Sequence, residues 1–281
     1  MHAQPSPLKS AANPVGVFDS GVGGLSVLRE IRRELPHEDL LYVADSAHAP
    51  YGDKPSQQIE VRAIAIVEFL ISQRAKAIVV ACNTASGVAI NMLRARFSVP
   101  IVAMEPAVKP AVTHTLSGVI AVLATSRTIA SDNIAKLHER FGADVKILMQ
   151  ACPGLVEQVE AGDLSSDETR TLIEQYVNPL LKQGADTLVL GCTHYPFLAP
   201  LIREIAGSSV TIIEPAAAIA RELHRRLASA NLLSAESHAG TERFWSSATS
   251  DTTQSVISQL WKADVEVQQL TSPTIKQVAI N

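Results

Sequence analysis

Ala77-Ile-Val-Val-Ala-Cys82-Asn83-Thr84 and Thr187-Leu-Val-Leu-Gly-Cys192-Thr193-His194 each end a short apolar run in a cysteine, with two hydrogen-bonding residues directly behind it. Runs such as Ile78 to Ala81 and Leu188 to Gly191, bounded by glycine or polar residues, read as strands buried on both faces, the kind that build parallel sheets. In such sheets ligands bind beyond the carboxyl ends of the strands, which is where both thiols fall. The recurrence of the pattern predicts two similar halves, each bringing one thiol to a shared cleft. Two thiols facing one substrate suit a proton taken from one side and returned on the other.

Working outward, Val15 to Phe18 is a buried strand that enters Asp19-Ser-Gly-Val-Gly-Gly24 and then an amphipathic helix from Leu25 to Leu35, stopped by Pro36. Leu40 to Ala44 is a second strand, followed by a loop from Asp45 to Pro55 and a helix from Ser56 to Arg74. The first cysteine strand and a helix from Ala85 to Arg96 complete a βα alternation that specifies a parallel α/β sheet. The second half restarts the theme: a strand from Val119 to Leu123, a helix from Ile129 to Phe141, a strand from Lys146 to Met149, and one long helical region from Gly154 to Gln183 before the second cysteine strand. Pro100 to Pro110 reads as the crossing between halves and Val210 to Pro215 as the return. The tail, with Phe244 in a strand setting and a helix from Ser255 to Trp261, is expected to rejoin the first half. The predicted organisation is a discontinuous first domain, 1–103 with 214–281, and a second domain, 104–213, with residues 1–13 a loose arm.

The 281 residues suffice for two medium domains burying roughly three quarters of the unfolded surface. A net charge of −4 supplies no basic field for nucleic acid. Arg32-Arg33 and Arg225-Arg226 lie on amphipathic stretches and read as solvated faces. Three cysteines, an odd number without a Cys-x-x-Cys pair, fit a reducing compartment. No stretch reads as a signal peptide or a membrane span, so a cytoplasmic protein is expected.

The Asp19 to Gly24 loop opens a helix, where free N–H groups favour an anion. A dinucleotide fingerprint is disfavoured, because Ser26 stands at the last glycine position and Asp19 would put a negative charge beside a pyrophosphate. Asp19 better suits a substrate ammonium or the orientation of a thiol, with a helix cap as the plain alternative; Ser20 suits a carboxylate. Pro50-Tyr51-Gly52 is a turn with an aromatic hydroxyl. Cys152 is read as a buried hydrophobe, whereas Cys82 and Cys192 precede helix N-termini, which favour the reactive thiolate. Cys192 and His194 lack a second pair with metal-ligand spacing, so no metal is expected, and His194 reads as a proton partner or cap for the thiol. A serine nucleophile elbow and a Walker loop are absent.

With these segments in view, the chain resembles the glutamate racemases of the aspartate/glutamate racemase family. The resemblance rests on Gly16-Val-Phe-Asp-Ser-Gly-Val-Gly-Gly-Leu-Ser26, Asp45 through Pro50-Tyr-Gly52, Ala81-Cys-Asn-Thr84, Ala124-Thr125 and Leu190-Gly-Cys-Thr-His-Tyr-Pro-Phe197, in order from Val15 to Trp245. It implies two α/β domains related by a pseudo-two-fold axis with the active site between them. The implied enzyme is a cofactor-independent isomerase interconverting L- and D-glutamate for peptidoglycan synthesis, and a homodimer is compatible with it. Carried over, Cys82 would be the base toward D-glutamate, supported by Asp19, and Cys192 the base toward L-glutamate, supported by His194. Substrate contacts would come from Asp19, Ser20, Tyr51, Gly52, Asn83, Thr84, Thr125, Thr193 and His194. The family's further acid matches Glu160 in the stretch opened by Cys152-Pro153, with Glu157 its neighbouring rival. The alternatives are an aspartate or hydantoin racemase, a one-thiol decarboxylase, which the second thiol disfavours, and a non-catalytic amino-acid binding protein, which has no need of paired thiols.

Overall fold

The computed structural model describes residues 10–141, 143, 145–248 and 251–270. Its elements, in chain order, begin β1 (Val15–Asp19), α1 (Leu25–Glu34), β2 (Leu40–Ala44), α2 (Ser56–Ser72), β3 (Ala77–Val80), α3 (Asn83–Arg96) and β4 (Ile101–Ala103). They continue with α4 (Val108–His114), β5 (Val119–Ala124), α5 (Ser126–Ile129), α6 (Asp132–Phe141), β6 (Lys146–Ala151), α7 (Leu155–Glu160), α8 (Asp167–Lys182), β7 (Thr187–Leu190), α9 (Ala199–Ala206) and β8 (Thr211–Ile213). The chain closes with α10 (Ala216–Ser229), β9 (Glu242–Ser246), α11 (Asp251–Trp261) and β10 (Val267–Gln269).

Two parallel sheets result, one ordered β10-β9-β2-β1-β3-β4 and the other β6-β5-β7-β8. The stretch β2-β1-β3-β4 has the same strand order as the whole second sheet, so the repeat read from the cysteine segments is a repeat of topology. Every residue of β1, β2, β3 and β7 is buried, as strands with helices on both faces must be. Leu25, Leu28 and Ile31 of α1 are sealed in the same core as Ile219, Leu223 and Leu227 of α10, and each such side chain contributes roughly 1.5–3 kcal/mol when fully buried.

Several boundaries differ from the sequence reading. The predicted helix from Gly154 to Gln183 is two: Gly162, at φ +76°, ends the first, and the Ser166 hydroxyl accepts from Thr169 N–H to start the second. The helix expected from Ile129 to Phe141 is likewise split into α5 and α6. α3 begins two residues early, capped by Cys82, whose sulfur accepts from the Ala85 N–H at 3.4 Å. The crossing at Pro100 to Pro110 contains β4, which pairs with β3. Of the arm, residues 1–9 lie outside the described residues; Asn13 is buried and its N–H closes a turn on Ser10, so the arm's end is tied down. In the tail, β9 pairs with β2 and β10 with β9, both parallel.

Candidate active site

Register fixes where the chemistry lies. Phe18 of β1 pairs with Val80 of β3, so Asp19 and Cys82 leave neighbouring strand ends together. Leu123 of β5 pairs with Leu190 of β7, which places Thr125 and Cys192 in the equivalent relation. The two sets of strand ends face one another, and Ser20, Tyr51, Gly52, Cys82, Asn83, Thr84, Thr125, Cys192, Thr193 and His194 line one cavity. Thr128 and Val156 line it too; the sequence reading did not single them out.

At the first thiol, Cys82 donates toward Ser20 Oγ (3.6 Å), which in turn donates to Asp19 Oδ1 (3.2 Å). Asp19 is fully buried and accepts from the N–H groups of Ser20 and Gly24, both at 2.7 Å, and from Thr193 Oγ1 at 3.1 Å. Burial raises the Asp19 pKa above the usual carboxylate value, against the opposing charge of His194. Burial, and then the Asp19 charge, push the Cys82 thiol well above its ordinary value.

At the second thiol, Cys192 Sγ lies 3.7 Å from His194 Nδ1, and His194 Nε2 lies 2.6 Å from Glu160 Oε1. Burial disfavours the imidazolium, but hydrogen bonds to Cys192 and Glu160 and their charges outweigh it, holding the His194 pKa well above 6.5. Of the two candidate acids, it is Glu160 and not Glu157 that is hydrogen-bonded to His194. Cys152 is buried with its thiol pushed up by desolvation, as suits a hydrophobe.

The polar lining is asymmetric in its satisfaction. The Thr84, Thr125 and Thr128 hydroxyls lie within 3.1 Å of one another and bond among themselves. The Asn83 carboxamide, in a residue 6% exposed, has no partner for either its oxygen or its nitrogen. Such an orphan is costly unless a ligand completes it. Tyr51 contributes its ring, because its hydroxyl donates to Asp45 at 2.5 Å, and Asp45 also takes two bonds from Arg62. The glycines of the 19–24 loop serve close packing: a Cβ on Gly21 would lie 1.8 Å from Glu160 Oε1 and one on Gly23 2.2 Å from His194 Nδ1.

Fold and site together define a two-sheet parallel α/β protein that carries one buried thiol from each sheet, each with a hydrogen-bonded acid or base beside it, into a shared polar cleft. The Asp/Glu/Hydantoin racemase family model matches residues 15–223, and the chain belongs to that family. A glutamate racemase of Methylococcus capsulatus is 55% identical over 249 residues, 89% of this chain and 92% of that protein. The crystal structure of a Bacillus anthracis glutamate racemase superposes with a TM-score of 0.84 at 33% identity, covering 93% of this chain and 98% of that one. The Francisella tularensis glutamate racemase in complex with D-glutamate superposes at 0.81 with 27% identity, covering 94% and 99%. No helix among the described residues is long and apolar enough to cross a membrane.

Proposed function

We propose that this protein interconverts L- and D-glutamate by proton transfer at Cα between two cysteines, without a cofactor, and supplies D-glutamate for peptidoglycan. The observation that carries this reading is the convergence of Cys82 and Cys192, from different sheets, on one cavity that also holds the unpartnered Asn83 carboxamide. The glutamate racemases named above, one of them bound to D-glutamate, support glutamate as the substrate.

The α-hydrogen of an amino acid beside an ionised carboxylate is a very weak acid, and an ordinary thiolate, with a pKa of about 8.5, has little driving force against it. Catalysis therefore rests on preorganised donors for the charge that develops on the carboxylate side of Cα. The unpartnered Asn83 carboxamide is such a donor, and the Thr84, Thr125 and Thr128 hydroxyls, bonded only to one another at the cavity wall, join it when they turn toward the substrate. From L-glutamate, the Cys192 thiolate takes the α-proton while the Cys82 thiol gives its proton to the opposite face. D-Glutamate leaves, with Cys192 now a thiol and Cys82 a thiolate, so a proton must be lost at Cys192 and gained at Cys82 before the next L-glutamate is turned over. His194 with Glu160, and Asp19 through Ser20, stand beside the respective thiols to assist each proton transfer and to return both thiols to the first state between turnovers.

Incubating the purified protein with L-glutamate, L-aspartate and L-glutamine in parallel, with no added cofactor, is expected to abolish optical rotation for glutamate alone. Cys82→Ser and Cys192→Ser should each stop racemisation, because a serine hydroxyl is too weak an acid to take over the thiol's part. In deuterated water the Cys82→Ser protein should exchange the α-hydrogen of L-glutamate only, and Cys192→Ser that of D-glutamate only. Exchange of the same enantiomer by both variants would overturn the assignment of the two bases.

A further inference from the structure

Glu160 follows β6 on α7, yet its carboxylate is completed by the half of the molecule built on the six-stranded sheet. Oε1 accepts from His194 Nε2 at 2.6 Å and from the Val22 N–H at 2.7 Å; Oε2 accepts from the Ser46 hydroxyl at 3.0 Å. Val22 lies in the loop after β1, and Ser46 follows the end of β2. The notch they form exists because Gly21 has no side chain there. A glutamate side chain is flexible, so one bond to His194 leaves its carboxylate free to rotate. Bonds to both oxygens fix it.

We infer that Ser46 is a positioning residue for the proton-handling pair of the second thiol: its hydroxyl, reaching across from the other sheet, holds Glu160 so that Oε1 meets His194 Nε2. Ser46 is not among the residues lining the thiol cavity, so it acts through Glu160. The arrangement has a reciprocal at the first thiol, where the Thr193 hydroxyl from the second cysteine segment donates to Asp19. Each acid beside a thiol is thus held by a hydroxyl from the half that carries the other thiol. This assignment rests on the racemase reading and adds to it a residue that touches neither substrate nor thiol.

Ser46→Ala removes the hydroxyl, and Ser46→Thr, at a half-buried position, keeps it. A hydrogen bond to an ionised group is worth a factor of about ten or more, so Ser46→Ala should lower kcat about tenfold and leave KM unchanged. The primary isotope effect should rise with α-deuterated L-glutamate, whose bond Cys192 breaks, and fall with α-deuterated D-glutamate, where the slowed step is delivery of the Cys192 proton. Ser46→Thr should restore both. A readout independent of turnover is the downfield imidazole N–H resonance of His194, assigned by its loss in His194→Asn. It should shift or vanish in Ser46→Ala and return in Ser46→Thr. Wild-type kcat and an unmoved resonance in Ser46→Ala, or a threonine variant as impaired as the alanine one, would overturn the assignment. Should the wild-type protein fail to racemise glutamate, the proposed function falls, and the resonance alone decides the role of Ser46.

Discussion

Gly21 and Gly23 lie in a strand-to-helix turn whose sequence disfavours a dinucleotide fingerprint, and in the folded protein they answer to two side chains. Glu160 and His194 approach the loop so closely that a methyl group at either position would overlap them. At Gly21 the obstructing atoms are the far end of a flexible glutamate, so an added methyl group displaces Glu160 and leaves the backbone in place. Gly21→Ala is therefore expected to fold with a stability within about 1 kcal/mol of wild type. Its kcat should fall by about 10²-fold or more, the scale of a lost proton-transfer partner. Thermal unfolding and initial rates on both enantiomers check this, and wild-type rates in the folded variant would mean that the His194–Glu160 contact is dispensable.

Among the elements, the joints are held by carboxylates that collect backbone and hydroxyl donors. Asp45, fully buried at the end of β2, takes Arg62 from α2, the Tyr51 hydroxyl and His48, and so clamps the loop that lines the cleft. Asp186, just ahead of β7, accepts from Thr115 Oγ1 at 2.6 Å, from the N–H groups of Leu116 and Ser117 at 2.7 Å, and from Thr187 Oγ1 at 3.0 Å. It thereby ties the turn between α4 and β5 to the start of the second cysteine strand. Burial opposes ionisation of Asp186, but the hydrogen bonds from Thr115, Ser117, Leu116 and Thr187 prevail and hold its pKa down to about 2. A folded-state pKa below the unfolded value of 3.8 contributes stability that is complete above that value and is lost as pH falls toward about 2. Asp186→Asn should accordingly lower the melting temperature at pH 7, with the gap to wild type closing as the pH is taken down through this window. A gap that stays constant across the window would assign the effect to something other than the charge.

At the scale of the whole molecule, the two sheets close on one another around a void of about 10 Å³, on the measure in which a single water needs roughly 10–15 Å³. Glutamate is far larger, so its entry is expected to require the halves to part and its binding to require them to close. Closure brings Val22 N–H to Glu160 and Thr193 to Asp19. Hydrogen exchange over the segment from Asp19 to Gly24 should therefore slow when D-glutamate is added, because parting of the halves would break the Val22 N–H bond to Glu160 and the ligand would suppress it. Exchange that is equally slow with and without the ligand would mean that these contacts never open.

The sequence by itself determined what depends on local pattern. The apolar runs at β1, β3, β5 and β7 specify parallel strands, and the cysteines that follow two of them must fall at the sheets' carboxyl ends. The recurrence of strand, turn and helix makes two similar halves readable as well, while their shared strand order emerges only in the folded sheets. Breaks made by turn residues inside helical patterns, at Gly162 and Ser166, were less legible, because the flanking segments keep a helical period on both sides. What only the tertiary structure decided is which distant side chains meet. Nothing in Glu157 or Glu160 taken alone separates them; the 2.6 Å approach to His194 does. Nor does the sequence distinguish Ser46 from any other serine after a strand, or place β9 beside β2. Those contacts join segments far apart in the chain, and they are set by strand pairing within the first sheet and by the way the strand ends of the two sheets meet, rather than by the residues on either side of each position.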